Sequence, residues 1–231
     1  MKDQQTLEKK WVEDCEVTWT SFNAGPAEVE AIFAGEIDIG YIGPVPAINA
    51  YVKSGGDVQI LSNATNAGAV LIKRSDSDIE TIADLAGKKV AVPQMGNTQH
   101  LCLLELLSEN GLAPTTEGGD VEVVAVSNAD VRNMMDQKNI DAALVPEPWG
   151  TILEEESGAI VVKEYDEIFM EGNYPSAVVV ARKEFIEEHP DLVQDFLEEH
   201  SAATDYINEK DEELYTLINR QIEEATSQTY D

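Results

Sequence analysis

The residues best suited to chemistry lie in one short turn of the chain. The turn follows the apolar run Val90–Val92, which is typical of a buried strand, and it precedes leucines at helical spacing. The first N–H groups of such a helix have no partner within it, and the helix dipole adds partial positive charge there. The turn is therefore suited to holding an anion. An ordinary strand-to-helix turn without a ligand is the alternative. The residues concerned are Gly96, Asn97, Thr98, Gln99 and His100.

The motifs of common enzymes and metal sites are missing from the sequence. It contains no GxSxG, HExxH or P-loop motif and no paired-cysteine spacing. His189 and His200 lie apart from His100, in acidic helical stretches typical of solvated faces. Cys102 falls on the apolar side of a predicted helix, where packing is more common than redox chemistry. The sequence thus predicts no catalytic residue, no metal and no cofactor.

Charge and composition exclude several classes of protein. The 231 residues carry 45 acidic and 15 basic side chains, a net charge of −30. Nucleic-acid binding needs a basic surface, and anionic membranes repel an acidic one, so neither partner is expected. No apolar run approaches the length of about 20 residues that a membrane helix needs. No signal peptide is visible. The chain is long enough for one large domain or two small ones.

Strands and helices alternate along most of the chain, which predicts a parallel or mixed α/β sheet covered on both faces. The N-terminal 14 residues are predicted to be helical, and Glu16–Ser21 to form a half-buried strand. A break at Gly43–Pro46 is expected to precede a helix from Ala47. Ser62–Gly68 is polar and predicts turns, and the last fifty residues predict helices.

An internal repeat suggests two lobes of similar build. Ala34–Asp38 leads through an apolar strand to a Pro-x-Pro turn at Pro44, and Gln137–Asp141 does the same at Pro146. Chance is the alternative for so short a repeat. Open α/β sheets bind ligands beside such strand ends, so two lobes would enclose a cleft.

Four segments together resemble the solute-binding proteins of ABC importers for aliphatic sulfonates, taurine and nitrate. The resemblance implies a two-lobed, type II periplasmic-binding-protein fold that closes on a small oxyanion. Lobe I would comprise residues 1–67 with 175–231, and lobe II residues 68–174, with crossings near Asn63–Ala67 and Gly172–Ser176. The segments are SFNAGPAEVEAIFAGEIDIGYIGPVPAI, IADLAGKKVAVPQMGNTQHLCLL, VPEPWGT and KEFIEEHPDLVQDFLEEH.

Two features of the family are missing from this chain. Members begin with a strand and loop ahead of the helix that opens this sequence, and they continue for some tens of residues beyond Asp231. Without the first strand, the sheet of lobe I would keep an open edge that could pair with another chain. A monomer is expected unless that edge drives such pairing.

The resemblance assigns ligand contacts to four turns, which lie at Asn23–Gly25, Gly43–Pro44, Gly96–His100 and Pro146–Trp149. The N–H groups of Thr98 and Gln99 and the Thr98 hydroxyl would hold the anion, with His100 as a further donor. Asn23 and Gly25 would offer an amide and a second helix start from the other lobe. Gly43 and Pro44 would let backbone approach the ligand, although a plain end of a strand is the alternative. Gly96 and Asn97 would shape the turn ahead of the central helix.

The Pro-Glu-Pro-Trp turn allows two interpretations. Glu147 at the cleft would repel a bare oxyanion and favour a zwitterion such as taurine, whose ammonium it could pair. It could instead point away and structure the turn. Trp149 would supply an apolar wall for an alkyl chain, or pack within its lobe. Tyr41 and Asn173 are weaker candidates on neighbouring loops.

The sequence therefore predicts the substrate-binding component of an ABC importer. Its partners would be a small anionic or zwitterionic ligand and a permease in the membrane, and it would act in the periplasm or at the cell surface. The alternative is an enzyme on the same scaffold, acting on a pyrimidine-precursor or menaquinone-pathway metabolite. Such an enzyme would need a nucleophile or a His/Cys-rich cluster in the cleft. A regulatory effector-binding protein would need an attached DNA-binding helix-turn-helix, which the acidic N-terminal stretch does not provide.

Overall fold

The computed structural model describes residues 1–11, 15–209 and 212–226. The chain divides into two compact units, one formed by residues 1–22 with 183–231 and the other by residues 23–182. The described strands are β1 (Ile39–Ile42), β2 (Val58–Asn66), β3 (Ala69–Lys73), β4 (Lys89–Val92), β5 (Glu122–Ala125), β6 (Ala142–Pro146), β7 (Ile160–Lys163) and β8 (Pro175–Arg182).

Helices account for most of the remaining described chain. They are α1 (Thr6–Lys10), α2 (Gly25–Phe33), α3 (Pro44–Ser54), α4 (Thr98–Glu109), α5 (Asn128–Asp136), α6 (Trp149–Ser157), α7 (Tyr165–Ile168), α8 (Lys183–Glu188), α9 (Pro190–Glu209) and α10 (Glu212–Thr226). Three short 3₁₀ helices span Ile82–Leu85, Thr115–Glu117 and Met170–Gly172. None of the described helices combines the length and apolar character that a membrane crossing needs.

Residues 23–182 contain two separate sheets. The smaller has the order β1-β8-β2, and β8 pairs antiparallel with both neighbours. The larger has the order β5-β4-β6-β3-β7, in which β4 is parallel to β5 and β6 while β3 is antiparallel to β6 and β7. The chain passes from the smaller sheet to the larger between β2 and β3, and it returns in the segment before β8.

The larger sheet is covered on both faces, as the alternation of strands and helices predicts. Because successive side chains of a strand point to opposite faces, Leu71 packs into one apolar cluster while Val70 joins another. The first cluster includes Leu103 and Leu107 of α4, and the second includes Leu153 of α6. The continuous apolar runs in β3 and β6 follow from this two-sided burial.

The regular secondary structure described in the other unit is helical. The indole N–H of Trp11, directly after α1, donates to Asp195 Oδ2 of α9 at 3.0 Å. Lys10 Nζ lies 2.9 Å from the other oxygen of the same carboxylate. These contacts join the first described helix to α9. The boundaries of the two units differ from those of the predicted lobes, residues 1–67 with 175–231 and residues 68–174, which stay a prediction.

Several predicted elements are wrong or displaced. Residues 15–22 contain no strand, because alternation alone cannot form one and no described strand pairs with Glu16–Ser21. Helix α3 begins at Pro44 instead of Ala47, since proline at the first helical position loses no hydrogen bond. Strand β2 continues through the predicted turn to Asn66, with irregular register. The N-terminal helix is shorter than predicted, and residues 12–14 of that prediction lie outside the described residues.

Candidate functional site

The turn between β4 and α4 has the predicted strand–glycine–helix form. Asn97 is the N-cap of α4, and its side-chain oxygen accepts from the N–H of His100 at 2.8 Å. Among the described residues, none accepts a hydrogen bond from the N–H groups of Thr98 and Gln99. Gly96 has φ +81°, a left-handed conformation that glycine adopts without strain. The turn thus presents two free N–H donors at the positive end of a 12-residue helix.

The Thr98 side chain adds a hydroxyl to these donors. Thr98 is only 5% exposed, and its Oγ1 has no hydrogen-bond partner in the described part of the chain. The hydroxyl faces Gly43, because a Cβ atom built on that glycine would lie 2.4 Å from Thr98 Oγ1. Gly43 has φ −62°, which any residue can adopt. A side chain is therefore excluded at this position by lack of space and not by the backbone conformation. A buried hydroxyl without a partner is uncommon in native structures, which makes Thr98 a candidate contact for a ligand.

Helices that flank the two different sheets begin close to each other at this point. Gly43 precedes α3, which lies beside β2 and β8 of the smaller sheet, whereas Thr98 begins α4 of the larger one. Helix α2 also begins nearby, since a Cβ atom on Gly25 would lie 2.4 Å from Pro46 Cγ in the first turn of α3. Asn23, just ahead of α2, donates from Nδ2 to the carbonyl oxygen of Pro93 at 3.2 Å. The structure therefore brings Asn23 to Pro93 and Gly43 to Thr98 in this turn, and it places Gly25 beside the first turn of α3, which Pro44 begins.

The remaining side chains of the turn are held by local hydrogen bonds. The Gly96 N–H donates to His100 Nδ1 at 3.1 Å, so the neutral ring carries its proton on Nε2 and can donate from there. Burial lowers the pKa of the His100 imidazole, and the negative charge of Glu117 opposes this shift. Gln99 Oε1 accepts from Asn97 Nδ2 at 3.1 Å. We expect His100 to be neutral at physiological pH, as a donor without charge.

Glu147 and Trp149 have other contacts. Glu147 Oε2 accepts from both the N–H and the hydroxyl of Thr151, each at 3.1 Å, so the carboxylate caps the start of α6. Its own N–H donates to the carbonyl oxygen of Gly68. Trp149 packs against the buried cluster that contains Val70 and Leu153. These contacts match the turn-structuring and packing interpretations, and a ligand role for either residue stays a prediction.

The two weaker candidates, Tyr41 and Asn173, lie on different elements of the fold. Tyr41 is on β1 and is 40% exposed. Asn173 follows the 3₁₀ helix Met170–Gly172, and its amide donates to the carbonyl oxygen of Glu171 at 3.3 Å. Within the residues that the structure describes, no group of His, Cys, Asp and Glu side chains is placed to bind a metal ion.

Sequence reasoning missed one residue of this region. Gln94 lies in the same turn, and its side-chain oxygen Oε1 is buried without a hydrogen-bond partner among the described residues. Its position two residues ahead of Gly96 is the only signal in the sequence, since a glutamine at the start of a loop is usually solvated.

Known proteins share both sequence and fold with this chain. It is 29% identical over 218 residues to a putative aliphatic sulfonates-binding protein of Escherichia coli (strain K12), covering 94% of this chain and 65% of that protein. It is 32% identical over 182 residues to the taurine-binding periplasmic protein of the same organism, covering 78% of this chain and 54% of that one. The chain thus spans less than two thirds of the length of these curated relatives.

Solved structures show the same fold. The periplasmic aliphatic sulphonate binding protein SsuA from Escherichia coli is 28% identical, with a TM-score of 0.76 over 96% of this chain and 73% of that one. The alkanesulfonate-binding protein SsuA from Xanthomonas axonopodis pv. citri, bound to MOPS, is 23% identical, with a TM-score of 0.80 over 98% of this chain and 74% of that one. The predicted periplasmic-binding-protein fold is confirmed. Because the NMT1-like family matches residues 1–218, nearly the whole sequence, the chain belongs to that family.

Proposed function

We propose that this chain is the substrate-binding part of an ABC importer and that it captures a small organic anion of the sulfonate class. The observation that carries the proposal is the buried hydroxyl of Thr98, which has no hydrogen-bond partner among the described residues and faces Gly43 from the start of α4. Two free backbone N–H groups lie beside it, and backbone from the smaller sheet approaches it. These are the groups that recognise oxyanions in water-poor sites.

The names of the relatives support the same chemistry. One is called an aliphatic sulfonates-binding protein and another a taurine-binding periplasmic protein. The relatives and structures described above are binding proteins, so they give no support to the enzyme alternative. The chain would act outside the cytoplasm, like the relative that is called a periplasmic protein, and deliver its ligand to a membrane permease. It would be a monomer unless an open edge of the sheet drives pairing with another chain.

The proposed mechanism is closure of two lobes over the ligand. Asn23 and Gly43 would act from one lobe, and the start of α4 from the other. Closing the cleft removes water from the anion, which strengthens each hydrogen bond to it. The ligand would stabilise the closed arrangement by its greater affinity for it.

Calorimetric titration of the protein with taurine, alkanesulfonates, sulfate and nitrate tests this proposal. We expect micromolar or tighter binding of at least one sulfonate. Thr98→Asp places negative charge at the anion position and should abolish that binding, whereas Thr98→Ser keeps the hydroxyl and should retain it. Thr115→Asp makes the same substitution at an exposed position ahead of β5, at the opposite edge of the sheet, and serves as the control. Sulfonate affinity that is unchanged in Thr98→Asp would overturn the assigned site, and wild-type protein that binds no sulfonate would overturn the function.

A further inference from the structure

The carbonyl oxygen of Gln94 accepts a hydrogen bond, whereas its side-chain oxygen has no donor among the described residues. Its carbonyl oxygen accepts from the N–H of Asn97 at 3.3 Å. The carbonyl oxygen of the preceding residue, Pro93, accepts from Asn23 Nδ2 at 3.2 Å. In contrast, Gln94 Oε1 is buried and no described residue donates to it. Buried amide oxygens are nearly always paired, so this one lacks a donor.

A simple oxyanion cannot supply the missing donor. The oxygens of a sulfonate only accept hydrogen bonds, and they suit the Thr98 hydroxyl and the free N–H groups of α4. An amide oxygen also only accepts, so Gln94 Oε1 and a sulfonate oxygen cannot satisfy each other. The two unpartnered side-chain oxygens of this turn, Gln94 Oε1 and Thr98 Oγ1, therefore call for different groups on the ligand.

An uncharged acceptor suits a ligand that carries both an anion and a donor. A carboxylate close to the anion position would repel the sulfonate, whereas an amide oxygen accepts from an ammonium or hydroxyl group without that repulsion. The acidic residue proposed from the sequence as a partner for an ammonium group, Glu147, already accepts two hydrogen bonds from Thr151.

We propose that Gln94 is a specificity-determining residue whose side-chain oxygen accepts a hydrogen bond from the ligand. The site would then prefer short organic sulfonates that carry an ammonium or hydroxyl group over plain alkanesulfonates of the same length. This inference rests on the proposed function, and it specifies which chemical group the ligand carries in addition to its sulfonate.

The test compares taurine with ethanesulfonate, which has the same two-carbon sulfonate but lacks the ammonium group. Calorimetric titration of the wild-type protein should show at least tenfold tighter binding of taurine. Gln94→Met keeps the size of the side chain and removes the acceptor. It should reduce the preference to less than threefold and leave the affinity for ethanesulfonate within threefold of wild type. Gln137→Met, at an exposed position after α5, is the matched control.

Gln94→Glu provides a second variant in case Gln94→Met does not fold. It keeps the acceptor and adds negative charge, so it should lose ethanesulfonate and bind taurine more weakly than wild type, because the carboxylate repels the sulfonate while it accepts from the ammonium group. Equal affinity of the wild-type protein for the two ligands would overturn the inference and leave the proposed function intact. An equal loss of both ligands in Gln94→Met would also overturn it, because the amide would then donate to the anion. A wild-type protein that binds neither ligand would overturn the proposed function, and the inference with it.

Discussion

The backbone of Gly43 lies directly against the hydroxyl of Thr98, although the two residues belong to helices that flank different sheets. A methyl group at position 43 would lie 2.4 Å from Thr98 Oγ1, closer than nonbonded atoms approach. The contact brings the start of α3 and the start of α4 within reach of one small ligand. It also explains why glycine is needed at a position with ordinary backbone angles.

Gly43→Ala should weaken ligand binding more than it weakens the fold. The added methyl group must push the Thr98 side chain or the start of α3 away, so we expect a loss of affinity of tenfold or more in calorimetric titration. The melting temperature should fall only modestly, because alanine adopts this backbone conformation freely and the strain is confined to the contact with Thr98. Gly111→Ala is the control with the opposite profile. It has open space but φ +70°, so it should lower the melting temperature and leave affinity unchanged. Full affinity in Gly43→Ala would contradict the close approach.

Asn97→Ala should destabilise the protein through the start of α4. The Asn97 side chain accepts from the His100 N–H and donates to Gln99 Oε1, and both bonds would be lost. The expected loss is about 1 kcal/mol in the free energy of unfolding, measured by denaturant titration. Asn133→Ala, at an exposed position within α5, is the matched control and should be neutral or slightly stabilising. Equal stability of the two variants would show that the cap contributes nothing.

Glu147→Ala separates the two interpretations of the Pro-Glu-Pro-Trp turn. Because the carboxylate accepts both hydrogen bonds from Thr151, its removal should cost about 1 kcal/mol of stability while taurine affinity stays within threefold of wild type. Denaturant unfolding and calorimetric titration measure the two effects. A tenfold loss of taurine binding with unchanged ethanesulfonate binding would instead identify Glu147 as the partner of the ammonium group.

Glu28→Gln should change how stability depends on pH. Glu28 is 8% exposed, and burial raises the pKa of its carboxyl group to about 7. The folded protein thus favours the protonated form, so this group reduces stability as pH rises from the unfolded pKa near 4.5 through 7. Glu28→Gln should have a larger free energy of unfolding than wild type at pH 8, by on the order of 1–3 kcal/mol. The two proteins should be equally stable near pH 4.

The pH dependence is measured by denaturant unfolding at pH 4, 6 and 8. Glu30→Gln changes an exposed glutamate on the same helix and is the control. The result would go against the prediction if the two variants gained the same stability at pH 8, or if Glu28→Gln were less stable than wild type there.

Elements with a strong apolar pattern were predictable from the sequence. The run from Val90 to Leu107 defines a strand, a glycine turn and a helix by itself, and the structure has β4 and α4 there. Asn97 and Thr98 are both residue types that can cap a helix. The structure selects Asn97, which leaves the Thr98 hydroxyl free for the site.

Features that depend on distant parts of the chain were not predictable. A strand exists only where a partner offers a ladder of hydrogen bonds, so the alternation of Glu16–Ser21 was misleading. Pro44 was interpreted as a breaker, although proline is also a good first residue of a helix. Gln94 carries only the weak signal of its position ahead of Gly96, because only the fold shows that its amide oxygen is buried.

The two segments that connect the sheets are joined to each other where they leave the smaller sheet. Asn66 at the end of β2 pairs with Pro175 at the start of β8, and the N–H of Ala67 donates to the carbonyl oxygen of Tyr174 at 3.0 Å. A pair of bonded strands resists shear along its length but bends readily across its flat face. If the sheets move relative to each other, this pair of strands would act as a hinge that bends in one preferred direction. Opening and closing would then follow the same path.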